Sequence, residues 1–169
     1  MPLPMYALIV PAFNRGFTAL DGLLDKAEAF AAERGMPLAE LFEARLAPDM
    51  LPLSGQVQRA SDTAKNAIGR LTTLEAPRLP DDEQDFAALH ERIARTVAFI
   101  ETVKPEHLDG SETREVTLNF PNLKVTFSGA DYLLKFVLPN FYFHVTTAYD
   151  ILRHKGVPIG KPDFIGRLG

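Results

Sequence analysis

Cysteine and tryptophan are both absent from this 169-residue chain. Without thiols there can be no disulfide, no thiolate nucleophile and no Cys-ligated zinc or iron–sulfur centre. Long apolar runs are missing too. Asn14, Arg15, Asp131, Lys135, Asn140 and His144 interrupt the greasiest windows before they reach the roughly 18 residues of a membrane span. There is no excess of positive charge: 18 Lys and Arg stand against 22 Asp and Glu, a formal net charge of −4, and the basic residues are scattered. A nucleic-acid groove needs a basic footprint interleaved with aromatics, so nucleic acid is not an expected partner. No HExxH, P-loop, GxSxG or glycine-rich turn after a strand occurs. The first segment lacks a basic region and a small-residue cleavage signal, so it does not read as a signal peptide, and a cytoplasmic location with no membrane partner is expected.

What is present is a large apolar fraction, 46%, enough for one domain across residues 1–169 to bury a sizeable core. From about Met5 to Arg34, Leu8, Phe13, Phe17, Leu20, Leu24, Ala27 and Ala31 recur at helical spacing, and Gly35 follows as a C-cap. Pro11 either kinks this helix or marks its first turn. The segment 36–42 reads as a short helical turn crossing one end of the bundle. A second helix starts near Pro48-Asp49 and runs through Leu53, Val57, Ala60, Ala64, Ile68 and Leu71. A third starts at Asp81 or Asp82, buries Phe86, Leu89, Ile93, Val97 and Ile100, and ends before Pro105. Between Arg114 and Phe127 the period changes to two around a Pro121-Asn122 turn, the signature of a hairpin that must lie against helices to be stable. Ser128 with Asp131 three residues later resembles a capping box for a last helix from about Ala130 to His154, stopped by Gly156. Pro139 is expected to kink it. The fold class is all-α: four helices with a small β-hairpin in the long connection before the last.

His144 is the unusual polar residue. It lies among Phe141, Tyr142, Phe143, Val145, Ala148 and Ile151, so it either faces a pocket or is a hydrogen-bonded core histidine. Asn140, one turn earlier, lies on the same face, and the plainer alternative is an Asn140–His144 pair that satisfies itself. On the second helix Gln56 is an opposing candidate, or else a boundary residue on the surface. Asp49 is a further candidate, or an N-cap. His90 and His107 read as surface or boundary residues, and His154 as a C-terminal charge complementing the helix dipole. The acidic pairs Asp81-Asp82 and Glu112-Glu115 read as solvated linker faces.

The stretches RLAPDMLPLSGQVQRASDTAK and FSGADYLLKFVLPNFYFHVTTAYDILRHKGVPIGKPDF together resemble an uncharacterised bacterial family within the DinB/YfiT-like superfamily, over essentially the whole chain. The resemblance implies a four-helix bundle, often a homodimer. It also implies a metal site of one histidine on the second helix and an HxxxH pair on the fourth, used by some members for thiol-dependent transfer or isomerisation. Carried over, the second-helix position falls at or near Gln56 and the pair at Asn140 and His144. Only His144 keeps a ligand-type residue. Carboxamides are poor zinc ligands and supply no charge, so no cofactor or metal is expected, although weak divalent metal binding stays open. The leading expectation is a small-molecule ligand bound in a polar pocket of His144, Asn140, Gln56, Asp49 and Tyr149. The alternatives are a thiol-dependent transferase or isomerase, with His144 as base or ligand, and a structural protein that dimerises through its aromatic last helix.

Overall fold

The structure, a computed structural model, describes residues 3–166. The elements follow the apolar periodicity: α1 (Met5–Arg34), a short α2 (Leu38–Phe42), α3 (Leu53–Leu71) and α4 (Phe86–Glu101). A two-stranded antiparallel sheet of β1 (Glu115–Phe120) and β2 (Leu123–Ser128) comes next, then α5 (Gly129–Tyr132), a π-turn (Leu133–Val137), α6 (Leu138–His154) and α7 (Lys161–Ile165). No described helix is long and apolar enough to cross a membrane.

In their principal contacts α1 packs on α4 and α6, and α3 packs on the same two. The long helices therefore form a ring in which α1 lies diagonal to α3, and α4 diagonal to α6. A diagonal crossing needs more chain than a step between neighbours, and both diagonal connections are long. The first carries α2, which touches α1 and α3 as expected of a segment crossing one end. The second carries the hairpin. The core runs through all four helices and includes Phe13, Phe17, Leu20, Leu53, Val57, Leu89, Phe141 and Val145. Phe141 meets Phe13 and Phe17 edge-on at centroid distances of 5.0 and 5.2 Å, favoured by the ring quadrupole. Gly16 lets α1 come this close: a β-carbon there would stand 2.4 Å from Phe141 Cε1.

Both glycine stops behave as read. Gly35 has φ 60° and Gly156 φ 91°, and the amides beyond them, Met36 and Val157, donate back to Ala31 O and Leu152 O. This is the Schellman arrangement that satisfies orphan carbonyls. The hairpin register pairs Val116 with Phe127, Leu118 with Val125 and Phe120 with Leu123, so the apolar residues share one face, of which Val116 and Leu118 are buried while the Phe120–Leu123 end stays exposed. Ser128 caps α5, its Oγ accepting from Asp131 N at 3.2 Å. Asp131 itself turns to Lys135, leaving the capping box half formed.

Two helix starts differ from the sequence reading. α3 begins at Leu53 instead of at Pro48-Asp49: Pro52 disfavours helical backbone at Leu51, and residues 47–50 form a turn in which Met50 N donates to Ala47 O. α4 begins at Phe86 instead of at Asp81 or Asp82, with Asp85 as N-cap accepting from Ala88 N at 2.8 Å. The cause is Arg92, whose side chain is 1% exposed. It donates to Pro80 O and Glu83 and forms ion pairs with Asp62 and Asp81, which holds residues 79–83 out of helical conformation. Pro139 also acts differently from a simple kink. It has no N–H for the carbonyl four residues back, and the turn just before it widens to a π-turn, with Leu138 N bonded to Leu133 O. The last helix passes through without a break.

Candidate functional site

Along α3 the polar residues Gln56, Arg59, Thr63, Asn66 and Arg70 recur at steps of three and four, which places them in one stripe. The last helix answers with Tyr132, Phe136, Asn140 and His144 at steps of four. Gln56 is 2% exposed. Its Nε2 donates to Leu51 O at 3.0 Å, which turns Oε1 toward His144 Nδ1 at 2.8 Å. A carboxamide oxygen only accepts, so Nδ1 carries the proton and Nε2 keeps its lone pair. Burial, and then the positive charge of Arg59, lower the His144 pKa to about 4. The imidazole is neutral at physiological pH.

Asn140 does not pair with His144. Its Nδ2 donates to Thr63 Oγ1 at 2.7 Å, while that hydroxyl donates to Arg59 O. The two side chains share a face, yet each reaches across to α3. The self-satisfied Asn140–His144 pair is thus replaced by two inter-helix contacts. Beside them, between α3, β1 and the last helix, opens a cavity of about 370 Å³ whose lining includes Arg59, Asn66, Arg70, Asn119, Phe136 and Asn140. Tyr132, stacked on Phe136 at 5.9 Å, forms its aromatic wall. Arg70 donates to Tyr132 Oη at 2.9 Å and has no carboxylate partner among the described residues. Arg59, in contrast, is paired with Asp62 and Asp81.

Asp49 stands exposed in the 47–50 turn, and Tyr149 packs on Phe164 of α7 at 6.3 Å. Neither bonds to Gln56, Asn140 or His144, and of the five residues expected to form one pocket only Asn140 lines the cavity; Gln56 and His144 are joined to each other outside its lining. The chain runs from Pro48 into α3 by way of an extra turn, and Tyr149 lies on a different face of α6. Arg59 and Arg70 are the residues that the sequence reading missed; their signal was the spacing with Gln56.

The donor set here does not suit the divalent metal that the resemblance implies. A single imidazole stands there, both carboxamides already make hydrogen bonds, no carboxylate among the described residues bonds to any of the three, and a guanidinium charge lies close by. The residues that could surround a metal ion lie elsewhere. Asp25 and Glu28 of α1 and His90 of α4 bring ligand atoms within 4.8 Å of one another. His90, read as an ordinary surface residue, contacts Asp21 Oδ1 through Nδ1 at 2.5 Å and Glu28 Oε2 through Nε2 at 3.1 Å. Burial alone would lower its pKa, but hydrogen bonds to and charges of Asp21 and Glu28 outweigh burial and raise it.

The DUF1993 family, described as a domain of unknown function, matches residues 5–165. The chain belongs to this family. DUF1993 is here a DinB-like fold: the chain is 36% identical to a DinB family member protein from Shewanella denitrificans, whose crystal structure superposes with a TM-score of 0.89. The similarity covers 97% of this chain and 93% of that one. No curated protein matches the chain. Within this DUF1993 chain, the α3–α6 seam is where the resemblance puts metal ligands and where carboxamides and arginines stand instead.

Proposed function

We propose that this DUF1993 protein binds a small organic anion with an aromatic or apolar body in the cavity between α3, β1 and the last helix, without needing a metal. The observation that carries the reading is Arg70: a guanidinium on the cavity wall, bonded to Tyr132 Oη and, among the described residues, without a carboxylate partner, since the wall's own carboxylate, Asp62, is taken by Arg59, Lys65 and Arg92. A carboxylate entering the cavity would complete its charge through paired N–H donors. Tyr132 and Phe136 offer an apolar wall to the rest of the ligand, and Asn66, Asn119 and Asn140 offer amides that fix orientation.

The test is a thermal-shift titration with phenylacetate, with inorganic phosphate as the non-aromatic control, on wild type and Arg70→Gln. Ligand that binds only the folded state raises Tm with concentration. Phenylacetate is expected to raise Tm in the wild type and to lose most of that effect in the variant. A shift of equal size in both proteins, or none in the wild type, rejects the site.

A second reading is supported by His144. Its Nε2 keeps a lone pair that could accept the hydrogen bond of a bound thiol and orient it, as a thiol-dependent transferase or isomerase could use, while a pKa of about 4 makes it a weak base. Reaction with a thiol cosubstrate that vanishes in His144→Gln would favour it over binding alone. We further propose a cytoplasmic homodimer, for which the exposed Leu134, Tyr142 and Phe143 of the last helix supply apolar surface. A monomeric mass in solution would reject that part.

A further inference from the structure

The acidic stripe of α1 faces a single imidazole. Asp21, Asp25 and Glu28 lie at steps of four and three, so one helix face presents all three carboxylates, and α4 brings His90 against them. No lysine or arginine pairs with these carboxylates among the described residues; the nearby Lys26 is taken by Asp163. Three negative charges therefore surround a group that carries at most one positive charge.

The ring is also oriented. Nδ1 lies against Asp21 Oδ1 at 2.5 Å, while Nε2 faces Glu28 Oε2 at 3.1 Å and Asp25 Oδ1 at 3.7 Å. A four-coordinate ion with bonds near 2.0–2.1 Å separates its ligand atoms by about 3.3 Å, and these two distances bracket that edge. An orienting carboxylate on the far ring nitrogen is the usual support of a metal-bound histidine, because it fixes the tautomer that leaves Nε2 free to coordinate. The site is open to solvent on its Asp25 side, where that side chain is 70% exposed, so water can reach an ion held there.

We propose that His90 Nε2, Asp25 and Glu28 form a divalent transition-metal site joining α1 to α4, with Asp21 as the residue that positions the imidazole. One nitrogen and two carboxylate oxygens suit zinc and related ions better than magnesium or calcium, which favour all-oxygen shells. This site is separate from the α3–α6 seam and does not depend on the anion reading.

The test is calorimetric zinc titration of untagged protein, with magnesium as a control, for wild type, His90→Ala, Glu28→Gln, Asp21→Asn and His144→Ala. Circular dichroism verifies that each variant remains helical. The expected result is one equivalent of zinc in the wild type, more than tenfold weaker binding in His90→Ala and in Glu28→Gln, and unchanged binding in His144→Ala. Asp21→Asn removes only the positioning carboxylate and is expected to weaken zinc by roughly 10–100-fold while keeping one equivalent. A wild type that takes up no zinc overturns the proposal. So does binding that survives both His90→Ala and Glu28→Gln, or binding lost in His144→Ala alone.

Discussion

Acidification should destabilise the protein through His144 in a defined window. The unfolded imidazole titrates near 6.5 and the folded one near 4. Above both values the residue is neutral in either state and contributes no pH dependence. As pH falls from 6.5 toward 4, the unfolded chain binds a proton that the folded chain refuses, so stability drops with pH across that interval. The causes are burial of the ring first, and then the charge of Arg59, which opposes the imidazolium. A sealed site would convert the shift into roughly 3 kcal/mol; allowing for the solvent that reaches the ring, ~1–2 kcal/mol is the expected loss. Urea unfolding of wild type and His144→Gln from pH 7.5 to 4 isolates this contribution, because carboxylates elsewhere cancel in the difference. The wild type should lose that amount relative to the variant, mainly below pH 6.5, and the imidazole resonances of His144 should titrate well below those of an exposed histidine. Parallel stability curves together with a midpoint near 6.5 would refute the neutral, desolvated imidazole on which the site description rests.

The Gln56–His144 contact gives a second test. Gln56→Leu strands the Nδ1 donor and His144→Leu strands the Gln56 oxygen, each at about 1–3 kcal/mol, whereas the double variant removes both partners. A coupling of ~1 kcal/mol or more in urea unfolding is expected, and additivity within about 0.5 kcal/mol would argue against the bond. Two glycines of α1 should respond oppositely to the same change. Gly16→Ala forces a β-carbon into Phe141 and should cost ~1–3 kcal/mol despite better helix propensity. Gly22→Ala meets nothing within 4 Å and should stabilise by ~0.5–1 kcal/mol; the same sign for both in denaturant unfolding would contradict the α1–α6 packing.

Much of the scaffold could be read from local pattern because its causes are local. The stripes of α1, α3 and α4, the stops at Gly35 and Gly156, and the hairpin around Pro121-Asn122 all follow from period and backbone preference within a few residues. The misplaced starts of α3 and α4 show where that logic ends. Asp81 and Asp82 look like helix-initiating acids until Arg92, eleven and ten positions away, draws the linker toward itself. Its signal was a cation between the inward residues Leu89 and Ile93, with carboxylates at 62, 81 and 83 to receive it. Asn140 and His144 were correctly put on one face, but sharing a face does not make two side chains partners when α3 offers Thr63 and Gln56 closer to hand. Spacing could reveal the acidic stripe of α1, and nothing local could say that His90 would meet it.

The two histidines that touch other helices show how one side chain is given opposite chemistry by its surroundings. His144 is bonded through Nδ1 to a neutral amide and lies near a guanidinium, so a cation at its free nitrogen would meet repulsion and lose hydration without charge compensation. His90 has three carboxylates around it, so the same nitrogen lies in a field that favours a cation and disfavours an anion. Where the resemblance would put imidazoles, Gln56 and Asn140 stand on a seam that also carries Arg59 and Arg70, and the anion reading rests on Arg70, because Arg59 is already paired with Asp62 and Asp81. The two proposals therefore make opposite demands, an anion at the α3–α6 seam and a cation at Nε2 of His90, and zinc is to be sought on the face where α1 meets α4.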